Sequence, residues 1–437
     1  MTIIETKQGY QKTKLGWIPL DWEVKELGSL GVFLKGKGIT KKELVEEGKA
    51  CIRYGEIYTK HHYFIKDFYS FINESTAESS VRIYKNDLLF TGSGETLADI
   101  GKCVAFIDNK EAYAGGDIII FREHSQDTKF LGFLFNQYIV NRQTFKLGQG
   151  NAVVHIYSKG IKQLKIPLPP LAEQKKIAKI LSIWGTAISK TKALIEKKQI
   201  LKKGLMQVLL TGKVRFGEFV GEEGTKKSKL GLIPKDWEVR KSGTVLRYLG
   251  GAAFKSKDSV SVGVKWLKIA NVGIAKVKWD VNSFLPYSYR DKYAQYVLGE
   301  DDIVLALTRP IINNKLKIAR LTRSDAPALL NQRVAKLESK KGIDILFAYQ
   351  FMQLPYFIHS MNGSMAGTDP PNIGFNGLNN ILIPLPPLPE QKKIAKVLST
   401  CDEAIEKLNQ ELAQLEAQKK GLMQQLLTGA KRVEAEA

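Results

Sequence analysis

The stretch IPLPPLAEQKKIAKIL, Ile166 to Leu181, is met again 217 residues later as IPLPPLPEQKKIAKVL, Ile383 to Leu398. The likeness continues without a gap from Ile166 to Gly212 and from Ile383 to Gly429. It has 28 identities in 47 aligned positions and ends in GLMQVLLTG and GLMQQLLTG. A second pair lies upstream of each copy, KLGWIPLDWEV (Lys14–Val24) and KLGLIPKDWEV (Lys229–Val239). Between these markers the intervening stretches are similar in length but hard to align. Internal repetition of this kind sets the architecture before any local reading does. The order is variable domain, repeated segment, variable domain, repeated segment.

The repeated segment reads as a long helix. PLPP stiffens an extended approach, and a helix can begin just after Pro170 or Pro387. In the second copy Pro389 occupies a first-turn position where proline is tolerated, and Glu390 follows near the positive end of the helix dipole. A heptad stripe then runs through Ile394, Leu398, Cys401, Ile405, Leu408, Leu412, Leu415, Leu422 and Leu426, interrupted by Lys419. The first copy places Ile177, Leu181, Trp184, Ile188, Thr191, Ile195, Leu205 and Leu209 in matching positions, with Lys198 and Lys202 on the stripe. A narrow stripe with alternating spacings of four and three is the pattern of a helix buried against another helix. Gly212 and Gly429 supply the stops. About 40 residues make a rod of roughly 60 Å. The nearest partner for each helix is its sister copy, which predicts an antiparallel pair and a pseudo-two-fold internal repeat.

The expected fold class is therefore α+β, with two α+β domains alternating with two long helices that pair as an antiparallel coiled coil. The expected boundaries are 1–165 and 214–382 for the variable domains, and 166–213 and 383–437 for the helical regions. Within the variable domains, VRIYKNDLLFTGSG and YVLGEDDIVLALTRP read as corresponding strand pairs, followed by further strands in GKCVAFID and LKIARLTR. DTKFLGFLFNQYIVNRQTFKL and GIDILFAYQFMQLPYFIHSM read as amphipathic helices.

Composition narrows the function. The chain has 437 residues, 44% apolar and 25% charged, the usage of an ordinary globular protein. Lys and Arg number 66 against 44 Asp and Glu, a net charge of +22. A surplus of this size attracts polyanions, and nucleic acid gains affinity further through counterion release. No run approaches the ~18 apolar residues of a membrane span, so no membrane association is expected. The opening MTIIETKQGYQKTKLG has no apolar signal region, and a cytoplasmic location is expected. Cys51, Cys103 and Cys401 are too few and too scattered for a disulfide framework or a zinc site.

Two short motifs hint at enzyme chemistry. FTGSG (Phe90–Gly94) fits the cofactor loop of adenine methyltransferases, and DPPN (Asp369–Asn372) is one residue from their catalytic [ND]-P-P-[YF]. In that motif an aromatic stacks on a flipped base, and here Asn372 stands in its place. The motifs also lie in different halves. FTGSG leads toward another strand rather than a helix, contrary to a cofactor loop, and its counterpart LTRPIINNKLKIARL has no glycine. They read as turns beside DNA-facing strands. No catalytic residue, metal site or cofactor is expected in the chain.

The doubled order LGxIPxDWEV, variable domain, IPLPPLxEQKKIAKxL, long helix, GLMQxLLTG closely resembles the specificity subunit of type I restriction–modification systems, over nearly the whole chain. LLTGKVRFGEF leading into the second LGLIPKDWEV matches the family's join between halves. The resemblance implies two target-recognition domains, each reading one half of a split sequence in double-stranded DNA. It implies that the helices form a spacer and dock two methyltransferase (modification) subunits. Those partners would carry S-adenosylmethionine, and restriction/translocase subunits would supply ATP-driven movement and cleavage.

Base and phosphate contacts favour Lys, Arg, Asn, Gln and small polar groups. In the first domain the candidates are Lys35, Lys37, Lys41, Lys42, Arg53, Tyr54, Lys60, His61, Tyr63, Ser93, Gln149, Asn151 and His155. In the second they are Lys255, Lys257, Lys268, Asn271, Arg309, Asn313, Asn314, Asn331, Gln332, Arg333, Asn362, Ser364 and Thr368. The rival readings are a self-contained DNA methyltransferase or nuclease with degenerate motifs, and a coiled-coil scaffold without sequence specificity.

Overall fold

The computed structural model describes residues 7–96, 99–123, 125–149, 154–220, 224–280, 282–365 and 370–434. The chain divides into two compact units, Met1–Lys192 with Gln410–Ala437, and Ala193–Asn409. The division falls inside both long helices, Leu171–Leu209 and Leu388–Leu426. Each unit therefore holds the start of one helix and the end of the other.

The first unit contains a five-stranded sheet in the order Phe64–Ile65, Cys103–Phe106, Leu88–Thr91, Ile118–Arg122, Val32–Lys35. A second sheet runs Leu44–Val45, Ser70–Ile72, Lys49–Ile52, Ala112–Ala114, Val81–Ile83. The second unit repeats both orders with one strand fewer in each. Its sheets run Ile318–Arg320, Ile303–Ala306, Val334–Ser339, Leu246–Gly250, and Phe284–Leu285, Val264–Leu267, Ala328–Leu330, Val297–Leu298. In both units one central pair of the second sheet is parallel, Ala112–Ala114 on Lys49–Ile52 and Ala328–Leu330 on Val264–Leu267. The two stretches that resist alignment are thus built on one topology.

Period-two alternation explains why the central strands read as unbroken apolar runs. Leu88, Phe90, Cys103, Ala105, Ile119 and Phe121 pack on the helical side. Their neighbours Leu89, Val104, Phe106, Ile118 and Ile120 pack on the second sheet with Ala50, Ile52 and Ala114. A sheet covered on both faces has no polar side. The second unit divides Ile303 and Leu305 from Val304 and Ala306 in the same way.

The stretches expected as single amphipathic helices are each two. Thr128–Leu134 is followed by Tyr138–Leu147, and Ile345–Met352 by Pro355–Gly363. The first of each pair is buried on nearly all sides, between sheet and long helix, so no polar face is required of it. In the second unit Pro355 opens the new helix, having no N–H to continue the old one.

The long helices begin and end near where the sequence predicts. Gln174 N and Gln391 N donate to the carbonyls of Pro170 and Pro387, closing the first turns. Gly212 and Gly429 follow the helical ends with φ of 70° and 71°. Within the first unit Ile177 and Leu181 share a core with Met423, Leu426 and Leu427, and Lys192 Nζ meets Glu416 at 2.7 Å. Within the second, Leu209 and Leu210 share a core with Ile394 and Leu398, with Leu205 packed against it, and Lys202 Nζ meets Asp402 at 2.5 Å. The pairing is antiparallel in each unit. Trp184, Ile188, Ile195, Ile405, Leu408, Leu412, Leu415 and Leu422 are buried or half-buried, while most residues between them are exposed.

A clasp brings the recurring motifs together. In the first unit the buried Trp22 donates its indole N–H to Glu173 Oε2 at 3.0 Å. Arg432, beyond the end of the second helix, forks onto both Glu173 and Asp21 at 2.6–2.9 Å. In the second unit Trp237 donates to Glu390 at 3.0 Å, and Arg215 forks onto Glu390 and Asp236 at 2.7–2.9 Å. A buried carboxylate is tolerable only with such partners. Hydrogen bonds and charge hold the Arg215 and Arg432 guanidinium groups well above their usual range. The neighbouring glutamines anchor the domain. Gln174 accepts from Asp127 N at 3.0 Å, and Gln391 accepts from Asp344 N at 2.9 Å. A Cβ on Gly212 would lie 2.5 Å from Pro234, and one on Gly429 would lie 2.4 Å from Pro19. IPxDW, EQ and LTG recur because they touch one another.

Candidate nucleic-acid interface

The candidate loops gather at the ends of the central strands. In the first unit Gly36 N donates to Ile118 O, Lys37 N to Ala114 O, Gly92 N to Asp117 O, and Ile156 N to Gly92 O, at 2.7–3.2 Å. These bonds draw the loops carrying Lys35, Lys37, Ser93, Gln149 and His155 to one place. Ser93 Oγ lies 2.8 Å from His155 Nδ1, and Gln149 and His155 exchange backbone bonds at 2.7 and 2.9 Å. Lys35, Lys37 and Gln149 are exposed, His155 is half-buried, and Ser93 is buried.

The second unit assembles the equivalent loops from different residues. Gln332 N donates to Ala252 O, Leu307 N to Arg333 O, Arg309 N to Pro371 O, and Ile373 N to Leu307 O, at 2.8–2.9 Å. Arg309, Gln332 and Arg333 are exposed and Asn331 is half-buried. Arg309 and Arg333 hold φ of 44° and 67°, a conformation that costs a non-glycine residue about 1–3 kcal/mol and clusters at functional sites. Asn313 and Asn314 form an exposed hairpin tip, also left-handed, between Ile311–Ile312 and Lys315–Leu316.

Other candidates lie elsewhere. Lys41 and Lys42 are exposed on a short turn capped by Glu43. Tyr54 opens the short helix Tyr54–Thr59, which Arg53 and Lys60 flank. His61 is buried, and burial pushes its pKa down to about 4. Tyr63 brings its hydroxyl 3.6 Å from Met423 on the second long helix. Lys255 and Lys257 are exposed around a short 3-10 turn. Lys268 Nζ lies 3.7 Å from the Trp266 ring centre and 3.0 Å from Ser283 Oγ. Asn271 is buried, accepting from Lys268 N and donating to Lys278 O. Asn362 and Ser364 are exposed at the end of Pro355–Gly363. Asn151 and Thr368 lie outside the described residues.

Both enzyme-like motifs take part in closing a loop. Ser93–Gly94 of FTGSG pairs with Val154–His155, and Asn372 of DPPN bridges Thr308 through backbone and side chain. The two are equivalent ties, one per unit, closing the late loop onto the central sheet. Gly92 is required because a Cβ there would lie 2.8 Å from the Asp117 carbonyl. Asp369 itself lies outside the described residues. Among the described residues no three His, Cys, Asp or Glu side chains converge as a metal would need, and no helix is long and apolar enough to cross a membrane.

Thr308 and Asn372 were not among the candidates, although DPPN marked their place. The clasp residues were also absent from them. Their signal is in the sequence: DW, EQ and LTGxxR recur with Asp21/Asp236, Glu173/Glu390 and Arg215/Arg432 in register.

A family model described as the type I restriction modification DNA specificity domain matches twice, over residues 19–199 and 234–417. The chain belongs to the type I restriction–modification specificity family. Among its relatives is the Type I restriction enzyme MjaVIII specificity subunit of Methanocaldococcus jannaschii. The two are 36% identical over 420 residues, covering 95% of this chain and 94% of that protein. The putative MjaX specificity subunit of the same organism is 30% identical over 451 residues, covering 98% and 97%. Among solved structures, the type I S subunit from M. genitalium shares the fold, with a TM-score of 0.62 at 17% identity over 93% of this chain and 96% of that one. The two matched segments of the specificity family model each begin at an IPxDW motif and run into a long helix.

Proposed function

We propose that this chain is the DNA-reading subunit of a type I restriction–modification complex and performs no catalysis itself. Residues 1–165 and 214–382 act as two target-recognition domains, each reading one half of an asymmetric bipartite sequence. Residues 166–213 and 383–437 set the unread gap and dock two methyltransferase subunits, with restriction/translocase subunits joining the same assembly. Double-stranded DNA is the ligand.

One observation carries this reading. Both units share a strand order and a clasp, yet the loops gathered at the strand ends carry different side chains, with Lys37, Gln149 and His155 in one and Arg309, Asn331, Gln332 and Arg333 in the other. A common scaffold with unlike polar loops suits two readers of unlike sequences, since base edges are distinguished by side-chain donors and acceptors. The +22 charge supports the phosphate part of the contact.

The test is random-sequence selection with the chain reconstituted with its methyltransferase subunits, followed by methylation mapping. A single asymmetric motif split by a constant gap is expected. Absence of any enriched motif would favour a scaffold without specificity. S-adenosylmethionine binding by the purified chain in calorimetry would favour a self-contained methyltransferase.

A further inference from the structure

Of the three lysines on the heptad stripe, two occupy equivalent positions, Lys202 in the first long helix and Lys419 in the second. In the second unit Lys202 is neutralised. Its ammonium meets Asp402 at 2.5 Å, and the other Asp402 oxygen accepts from Gln350 Nε2 at 2.7 Å. In the aligned repeat Asp402 corresponds to Gly185, and counting from the capping residues Asp344 and Asp127 of the buried helices sets Gln350 against Phe133. The first unit therefore has the lysine without its carboxylate. Lys419 Nζ lies 3.3 Å from where a Gly185 Cβ would stand, over the rings of Tyr63 and Phe133 at 4.7 and 5.2 Å.

The vacated side chain opens onto a cleft of about 860 Å³, lined by His62, Tyr63, Lys66, Phe133, Lys192 and Lys419 among others. Glu416 is the one carboxylate among the described residues lining it, and Lys192 engages it at 2.7 Å. Burial and the nearby Lys66 and Lys192 charges push Lys419 down to about 8, so cation crowds cation here. His62 is lowered by burial and by Lys102, Lys192, Lys419 and Lys66. An aromatic-walled cleft with several converging ammonium groups suits a multiply coordinated oxyanion better than a single carboxylate, and lysine serves phosphate as a point charge.

We propose that this cleft of the first unit, centred on Lys419 and opened by glycine at position 185, is a phosphate-binding site that the second unit has lost to Asp402. The phosphate comes either from the DNA backbone or from a free phosphate or phosphomonoester. The full chain is compared with G185D, which restores the carboxylate and meets only the flexible end of Lys419, and with K419M.

Inorganic phosphate, against chloride at equal ionic strength, is expected to raise the melting temperature of the native chain saturably and to lose this effect in both variants. General salting effects of phosphate act on all three proteins alike and cancel in the comparison. For a 30-base-pair duplex, a slope of log K against log salt shallower by about one in both variants assigns the phosphate to DNA. An unchanged slope with a lost phosphate response assigns it to a free ligand. If the three proteins respond alike to phosphate and show one salt slope, the proposal is wrong. It is equally wrong if G185D loses only the capture of an acidic partner protein.

Discussion

Arg432 and Glu173 are 259 residues apart in sequence and bonded twice, at 2.9 Å through both guanidinium and carboxylate branches. Their counterparts Arg215 and Glu390 repeat the contact at 2.7 and 2.9 Å. In both cases the arginine follows one long helix and the glutamate opens the other. The start of each helix is locked by the tail of its partner.

Breaking this lock is expected to be costly and unequal. Arg215 is 9% exposed and its partner Glu390 1%, whereas Arg432 is 40% exposed. R215A strands a buried carboxylate, for which about 3–5 kcal/mol is typical. R432A is expected to cost less, since water reaches the arginine in its place. Urea unfolding of the two variants, read as the shift in midpoint at constant slope, checks the order.

The glycines after the helices leave no room for substitution. Gly212 and Gly429 combine left-handed φ with a Cβ position inside van der Waals contact of Pro234 and Pro19. G212A and G429A are each expected to lose at least about 2 kcal/mol, combining backbone strain with displaced packing. Thermal melting of the single variants provides the measurement.

Acid sensitivity has an identifiable contributor. His61 is buried and its pKa is lowered from 6.5 to about 4 by desolvation. Below pH 6.5 the unfolded chain takes up a proton that the folded chain refuses until about pH 4. Stability from this group is present above 6.5 and is lost as pH falls between those values. H61F is expected to flatten the difference in stability between pH 7 and pH 4.5 relative to the native chain, as followed by urea titration at each pH.

Helix length bears on the proposed reading of a split target. Four residues inserted near Leu412–Leu415 add one turn, about 6 Å, against roughly 3.4 Å per base pair along a strand. The unread gap is expected to lengthen by about two base pairs with both half-sites unchanged. Selection with the inserted variant decides this, and an unchanged gap with altered half-sites would count against a spacer role for the helices.

Exchange of residues 25–160 for another recognition domain is expected to alter one half-site only. Entry and exit of that domain run side by side, Glu23–Glu26 pairing with Lys165–Leu168. The clasp residues Trp22, Glu173 and Arg432 all lie outside the exchanged segment.

Much of the architecture was legible because heptad spacing is a local signal and the repetition runs without a gap. The long helices and their limits near Leu171 and Leu388 follow from residues a few positions apart, and their antiparallel pairing follows from there being two copies. The equivalence of Ser93–His155 and Thr308–Asn372 was not legible, because each tie joins segments more than 60 residues apart and uses different side chains. The split of Thr128–Leu134 from Tyr138–Leu147 was hidden for another reason. A helix buried on nearly all sides has no polar face to mark its phase. Among the candidate contacts, residue type alone could not separate exposed Gln332 and Arg333 from buried Asn271, whose amide is spent on its own loop.

The clasp also joins segments that lie far apart in the sequence. Tyr10 donates its hydroxyl to Gly429 O at 3.0 Å, and Arg432 reaches Asp21, so the last described residues lie against the first. In the second unit the same junction, from Gly212 through Arg215 to Trp237, is continuous polypeptide. The same arginine–aspartate contact is therefore made across 21 residues of chain in one unit and across 411 in the other. Since the clasp forms in both settings, its bonds do not depend on a short peptide link between the helix end and the DW motif.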